Sequence, residues 1–368
     1  MEFLDLKTQQ KRIRKPLEKR LNTILDHGAY IMGPEVHELE EKLAEYCGVK
    51  HAISCSSGTD ALLIPLMAWG IGPGDAVFTT PFTYVATAEV IALLGATPVF
   101  VDVYDSTFNI DCEKLEIAIQ ETIKNGELKP KAIIPVDLFG VPARYRLIDS
   151  IAKKYSLKVI EDGAQSFGAS IGEKKVGTFG DVAATSFYPA KPLGCYGDGG
   201  AIFTNNDSLA DKCKAIRIHG TSSDRYNSEV IGLNGRLDSM QAAVLLEKLT
   251  IFDEEIEMRN KVNDYYRKFL NNAQYIPNNY HSAHALFSIT IGSHKKREEL
   301  VDKLKKNNIP NVIYYKYPIH LMKGFHYLGY KNGDFPVSEK LSQTIVSLPM
   351  HPYLSEAEID LTIKTLKK

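Results

Sequence analysis

One lysine stands apart by the company it keeps. In Ser186-Phe-Tyr-Pro-Ala-Lys191-Pro-Leu-Gly-Cys-Tyr-Gly-Asp-Gly-Gly200 it is flanked by apolar and small residues. Pro192 biases Lys191 away from helical dihedrals, and Gly194, Gly197, Gly199 and Gly200 permit a close-packed loop, so the side chain can be held rather than free. An amine in an apolar pocket loses proton affinity, which leaves the free base needed to form a Schiff base with an aldehyde. Taken singly, the commoner reading is an exposed loop lysine. A second candidate is Val159-Ile-Glu-Asp162-Gly-Ala-Gln165, where an apolar strand runs into a carboxylate. Strand ends are where open α/β sheets place ligands, and a buried Asp162 there can hold a proton on a heteroaromatic nitrogen. The plainer reading is a cap or a metal ligand, and Gln165 alone says little. The third is Cys55-Ser-Ser-Gly-Thr-Asp60, whose small residues expose the amides of Gly58 and Thr59 at a helix start suited to a phosphate dianion. An ordinary N-cap turn explains the same residues. Phe82, in Thr79-Thr-Pro-Phe-Thr-Tyr84, offers an aromatic plane for a ring or a piece of core. Each motif is weak alone. Together, at successive strand ends, they supply a phosphate cradle, an acid for a ring nitrogen and an imine lysine.

Those strand ends belong to short apolar runs alternating with helical segments from about residue 50 to 205, the pattern of a mostly parallel α/β sheet. The runs 52–54, 76–79, 98–101, 132–136, 158–161, 183–187 and 200–204 are the expected strands. Helices are expected over 8–27 and 35–47, separated by Gly28 and Gly33-Pro34. From Leu237 to Ile256 apolar residues recur every three or four positions, which predicts one long helix linking two domains. A half-buried strand over 285–291, a helix over 296–306 and a further strand over 311–315 then predict a smaller α+β domain. Ser355-Glu-Ala-Glu358 has the form of a capping box that opens a final helix. The expected division is a large domain over 1–245, with its N-terminal helices, and a small one over 246–368.

Composition narrows the function classes. The 368 residues are 44% hydrophobic and 24% charged, so the chain can bury a core and is not a disordered polymer. Lys and Arg number 44 against 45 Asp and Glu, so there is no overall attraction to nucleic acid or to an anionic membrane. Five scattered cysteines with no C-x-x-C pair fit neither a disulfide framework nor a zinc site, and a metal centre is not expected. The start of the chain lacks the apolar core of a signal peptide and no stretch is long enough for a bilayer span, so a reducing cytoplasm is the expected home. No G-x-G-x-x-G follows the first strand and no P-loop occurs, which argues against a nucleotide-binding Rossmann protein.

The motifs as a set resemble the sugar-nucleotide aminotransferases of the DegT/DnrJ/StrS type. The resemblance spans nearly the whole chain and rests on Gly33-Pro34-Glu35, Ser57-Gly-Thr-Asp-Ala-Leu62, Pro81-Phe-Thr-Tyr-Val-Ala-Thr87, Glu161-Asp-Gly-Ala-Gln165, Ser186-Phe-Tyr-Pro-Ala-Lys191, Gly197-Asp-Gly-Gly-Ala201, Gly232-Leu-Asn-Gly-Arg-Leu-Asp238 and Ser347-Leu-Pro-Met-His-Pro352. It implies the aspartate-aminotransferase fold and pyridoxal 5'-phosphate as cofactor, with pyridoxamine 5'-phosphate between the two half-reactions. Lys191 would carry the imine and Asp162 would pair with the pyridine nitrogen. Gln165 would support the phenolic oxygen and Phe82 would stack on the ring. Gly58, Thr59 and Ser186 would hold the phosphate, and Asn234 would reach the cofactor phosphate of a neighbouring subunit, making the site a property of a homodimer. Arg236, Tyr314 and Tyr315 match substrate-facing positions, whereas the segment 316–320 departs from the pattern. The finer likeness is to members that aminate carbon 3 of a UDP-linked 3-oxo-N-acetylglucosaminuronic acid with glutamate as donor, for amino sugars of lipopolysaccharide or O-antigen type. The alternatives are another dTDP- or UDP-linked keto-6-deoxy sugar, or a non-catalytic regulatory protein that binds the cofactor. A dehydratase of this family would carry histidine in place of Lys191.

Overall fold

In the computed structural model, residues 1–221, 224 and 226–367 are described. Seven strands form the main sheet: β1 (His51–Cys55), β2 (Asp75–Thr79), β3 (Thr97–Phe100), β4 (Lys129–Ile133), β5 (Lys158–Asp162), β8 (Val182–Ser186) and β9 (Gly200–Thr204). Their order is β1-β9-β8-β5-β4-β2-β3. Only β9 runs against its neighbours, so the sheet is mostly parallel, as expected. β6 (Ser170–Ile171), β7 (Lys174–Lys175) and β10 (Tyr280–His281) make a small antiparallel sheet, and β11 (Phe287–Thr290) pairs with β12 (Ile345–Leu348).

Both faces of the main sheet are covered, which is why its strands read as continuous apolar runs. Ala183, Ala201 and Phe203 turn to a core shared with α1 (Leu6–His27), α2 (Pro34–Cys47) and α8 (Ser239–Leu249). Their neighbours Val182, Ala184 and Ile202 turn the other way, toward α3 (Gly58–Ala68), α4 (Ala86–Leu93) and α7 (Asp207–Arg217). Phe78, Ile133 and Val159 pack on α5 (Cys112–Asn125) and α6 (Tyr145–Tyr155). A separate core joins α9 (Phe252–Arg267), β11, α10 (His294–Lys306), β12 and α12 (Glu356–Lys367). α11 (Pro336–Thr344) leads into β12. No described helix is long and apolar enough to cross a membrane.

Three expectations need correction. The helix expected from Leu237 to Ile256 is two, α8 and α9. Thr250 Oγ1 donates to the Glu247 carbonyl at 2.7 Å, Ile251 N–H closes a tighter turn on Lys248 at 3.1 Å, and Phe252 is thereby buried beside Phe167 and Tyr46. The run 132–136 is a strand only as far as Ile133. Pro135 has no N–H to offer, and the pairing resumes as a single bridge between Val136 and Asp162. The segment 311–315 is not a strand: Val312 alone pairs with Ser347, and the next residues turn into a cavity.

Candidate active site

The carboxyl ends of β1, β2, β5 and β8 meet at one cavity of about 460 Å³. Its lining includes Gly58, Thr59, Asp162, Gln165, Ser186 and Lys191, which are thus brought together from three separate segments. Phe3, Leu4, Leu286, Met350, Tyr314 and Tyr315 also line it.

The cradle is built by close approach of backbone. Ser57 caps α3, its hydroxyl accepting from Asp60 N–H at 3.1 Å, so this residue has the ordinary capping role. A Cβ on Gly58 would lie 2.6 Å from Ser186 Cβ, and one on Gly200 would lie 2.3 Å from the Ser57 carbonyl oxygen. Glycine at both places lets β9, the start of α3 and the end of β8 converge, leaving the first amides of α3 beside the Ser186 hydroxyl.

Asp162 ends β5 and is 4% exposed. Its Oδ2 accepts from the Thr87 hydroxyl at 2.8 Å and its Oδ1 from Ala164 N–H at 3.3 Å. Burial raises its pKa, and the two hydrogen bonds and the Lys191 charge oppose that rise. Burial lowers the pKa of Lys191, with attraction to Asp162 in opposition, so the amine is moved toward the free base. Gln165 Oε1 accepts from Phe139 N–H at 2.9 Å and its amide donates to the Tyr315 hydroxyl at 3.0 Å, which ties the 314–315 segment to the end of β5.

Phe82 does not stand where the resemblance implies, and takes instead the core role that the sequence equally allows. Its ring is 0% exposed, does not line the cavity, and packs edge-on against Phe108, Phe139 and Tyr315 at 6.0–6.5 Å. Pro81 turns the chain so that Phe82 points into the core and Tyr84, two residues on, lines the cavity. Asn234 and Arg236 also lie off this cavity. Asn234 is exposed, and the loop between them reaches the cradle through Gly235, whose carbonyl accepts from Ser56 N–H at 3.0 Å. Tyr84 and Thr87 also line the cavity, both from inside the Pro81–Thr87 motif, with Thr87 three residues after Tyr84. Nothing local in the sequence marks Phe3 and Leu4.

The set of groups fits pyridoxal phosphate: a cradle that a Cβ would fill, a buried carboxylate held by two donors, and an amine opposite it. The architecture is that of the aspartate-aminotransferase class, an α/β large unit with the site at the strand ends of a mostly parallel sheet. Residues 11–367 match the DegT/DnrJ/EryC1/StrS aminotransferase family, and the chain belongs to it. It is 46% identical over 370 residues to a UDP-2-acetamido-2-deoxy-3-oxo-D-glucuronate aminotransferase of Pseudomonas aeruginosa, covering 100% of this chain and 99% of that protein. It is 42% identical over 372 residues to a pleiotropic regulatory protein of Geobacillus stearothermophilus, covering 99% and 97%. Among solved structures, a DegT DnrJ EryC1 StrS aminotransferase from Brucella abortus superposes with a TM-score of 0.96 at 50% identity, over 100% of this chain and 98% of that one.

Proposed function

We propose that the chain transfers an amino group from glutamate to a keto-sugar nucleotide with pyridoxal phosphate as cofactor, the sugar being a UDP-linked 3-oxo-N-acetylglucosaminuronic acid. The observation that carries the reading is Lys191 and Asp162 facing one cavity across from a glycine cradle. The likeness to the Pseudomonas protein supports the choice of sugar. When bound, the cofactor supplies a conjugated ring that accepts the electron pair left by a departing α-proton. Gly58 and Thr59 amides and the Ser186 hydroxyl hold its phosphate at the start of α3. Asp162, fixed by Thr87 and Ala164, would keep a proton on the ring nitrogen, and Tyr84 would offer its ring to a face of the cofactor. Lys191 Nζ, as free amine, takes the proton from the donor's α-carbon and returns one to the sugar carbon that becomes aminated. Phe3, Leu4, Leu286 and Met350 give the same cavity apolar lining.

Among the described residues the cavity wall has no arginine and no lysine besides Lys191. A nucleotide diphosphate and a dicarboxylic donor need more positive charge than that; Arg236 of a second copy would bring it, with Asn234 as a neutral hydrogen-bond donor, in a homodimer. The five cysteines are free and buried, which supports a reducing cytoplasm as the compartment. Surface-polysaccharide amino sugars are the fitting destination of the product.

The test is spectroscopic and kinetic. With pyridoxal phosphate the purified protein becomes coloured, and borohydride fixes the cofactor to Lys191. Lys191→Ala still binds the cofactor but is not fixed and does not turn over. A panel of keto-sugar nucleotides with glutamate then gives parallel double-reciprocal lines with the accepted sugar. A colourless parent, or an active Lys191→Ala variant, refutes the reading. The regulatory role suggested by the name of the Geobacillus relative predicts colour without turnover.

A further inference from the structure

α8 grips the loop that carries Lys191 at two points on one helical face. Gln241 Oε1 accepts from Tyr196 N–H at 2.9 Å, and two turns further on the Lys248 ammonium donates to the Gly194 carbonyl at 2.6 Å. Lys248 Nζ also lies 4.5 Å from the centre of the Tyr196 ring. Lys248 is 1% exposed. Its compensating carboxylate, Glu255, is already engaged by Gln9 and Tyr353. Burial pulls the Lys248 ammonium down to about 8. A cation buried against a single carbonyl is a poor stabiliser, since an apolar side chain of similar volume avoids its desolvation cost.

The carbonyl it holds belongs to a turn with little slack. Lys191 N–H donates to the Tyr188 carbonyl at 2.9 Å, and Cys195 N–H donates to Phe187 at 2.7 Å. A Cβ on Gly194 would stand 2.6 Å from the Tyr188 oxygen and 2.7 Å from that of Pro189. A shift of Gly194 toward these oxygens presses on the carbonyls of Tyr188 and Pro189, three and two residues before Lys191.

We propose that Lys248 is a positioning residue for Lys191, holding the 188–195 turn through the Gly194 carbonyl so that the Lys191 amine stays aimed into the cavity. The proposal rests on the reading of Lys191 as the cofactor lysine, but its first readout does not need the cofactor. Lys248→Met keeps the stem and removes the donor, whereas Lys248→Arg keeps both cation and donor. In cofactor-free protein, Lys248→Met is expected to exchange its 188–197 amides at least about tenfold faster while β5 and β8 keep their protection. On adding pyridoxal phosphate, borohydride-fixable attachment at Lys191 and kcat both fall about tenfold, with both KM values within about twofold, and Lys248→Arg recovers most of the loss. Unchanged exchange and attachment in Lys248→Met overturn the proposal. So does faster exchange spread over the whole chain with attachment intact, which is the mark of a merely structural role. If Lys248→Met does not fold, Lys248→Gln carries the same readouts with the same two outcomes. A parent protein that never attaches the cofactor sinks the reading of Lys191, and the exchange comparison still decides whether Lys248 restrains the turn.

Discussion

Phe82 and Tyr84 leave one turn in opposite directions, and their side chains should fail in different ways when cut back. Phe82→Ala removes a ring wedged among Phe108, Phe139 and Tyr315 and is expected to cost about 3–5 kcal/mol of unfolding free energy. Tyr84 is 58% exposed. Tyr84→Ala should leave stability within about 0.5 kcal/mol while weakening pyridoxal phosphate binding. Urea melts and cofactor titrations check both, and the reverse pattern would return Phe82 to the ring. His284 gives a sign-definite pH effect. Burial, with the charges of Arg267 and Arg259 nearby, pulls its imidazole down to about 3, and Nε2 lies 2.9 Å from Asn260 Oδ1. The unfolded chain takes up this proton near pH 6.5 and the native state does not, so stability falls on acidification through that window by about 1.4 kcal/mol per pH unit from this group. His284→Gln should flatten the slope by that amount between about pH 6 and pH 5. An equal slope in parent and variant would show that His284 titrates normally in the native state.

At the scale of elements, local chemistry set the ends of helices well. The Ser355 box is formed as read: Glu358 Oε2 accepts from Ser355 N–H at 3.0 Å and Glu358 N–H donates back to Ser355 Oγ at 3.4 Å. Ser355→Ala should lower stability by about 1 kcal/mol, measured as a shift of the urea midpoint at constant slope, with Ser355→Thr recovering it. A variant as stable as the parent would show that the packing of α12 on α9 and α10, not the cap, anchors this helix. The break between α8 and α9 was not legible, because apolar periodicity continues through it. What ends α8 is the burial of Phe252 against Phe167 and Tyr46, residues far away in the chain. The break has a functional side: it lets α8 lie under the Lys191 loop while α9 carries Glu255 to Gln9 of α1 and to Tyr353.

At the scale of the molecule, the proposal that two copies share the site has a direct test. If Asn234 and Arg236 serve a neighbour's cavity, a Lys191→Ala homodimer and an Arg236→Ala homodimer are each inactive. Subunit exchange between them would then create one site with an intact Lys191 and an intact Arg236. Activity regained on mixing, absent from either variant alone, is the expected outcome. No recovery after exchange has been verified by mass would place Arg236 in its own chain's site.

What the sequence determined by itself is the set of strand ends and the chemistry on them. An apolar run covered on both faces needs no partner to be recognised, and Asp162, Lys191, Gly58, Thr59 and Ser186 follow such runs within a few residues, so their convergence at one sheet edge follows from parallel topology. Only tertiary structure decided the rest. Pro81 sends Phe82 into the core and leaves Tyr84 at the cavity, because a ring's direction depends on which side is already filled. Phe3 and Leu4 reach a site built by residues more than fifty positions away, and Asn234 and Arg236 turn from it. Contacts between distant segments are fixed by packing and desolvation over the whole fold, and local periodicity carries no record of them.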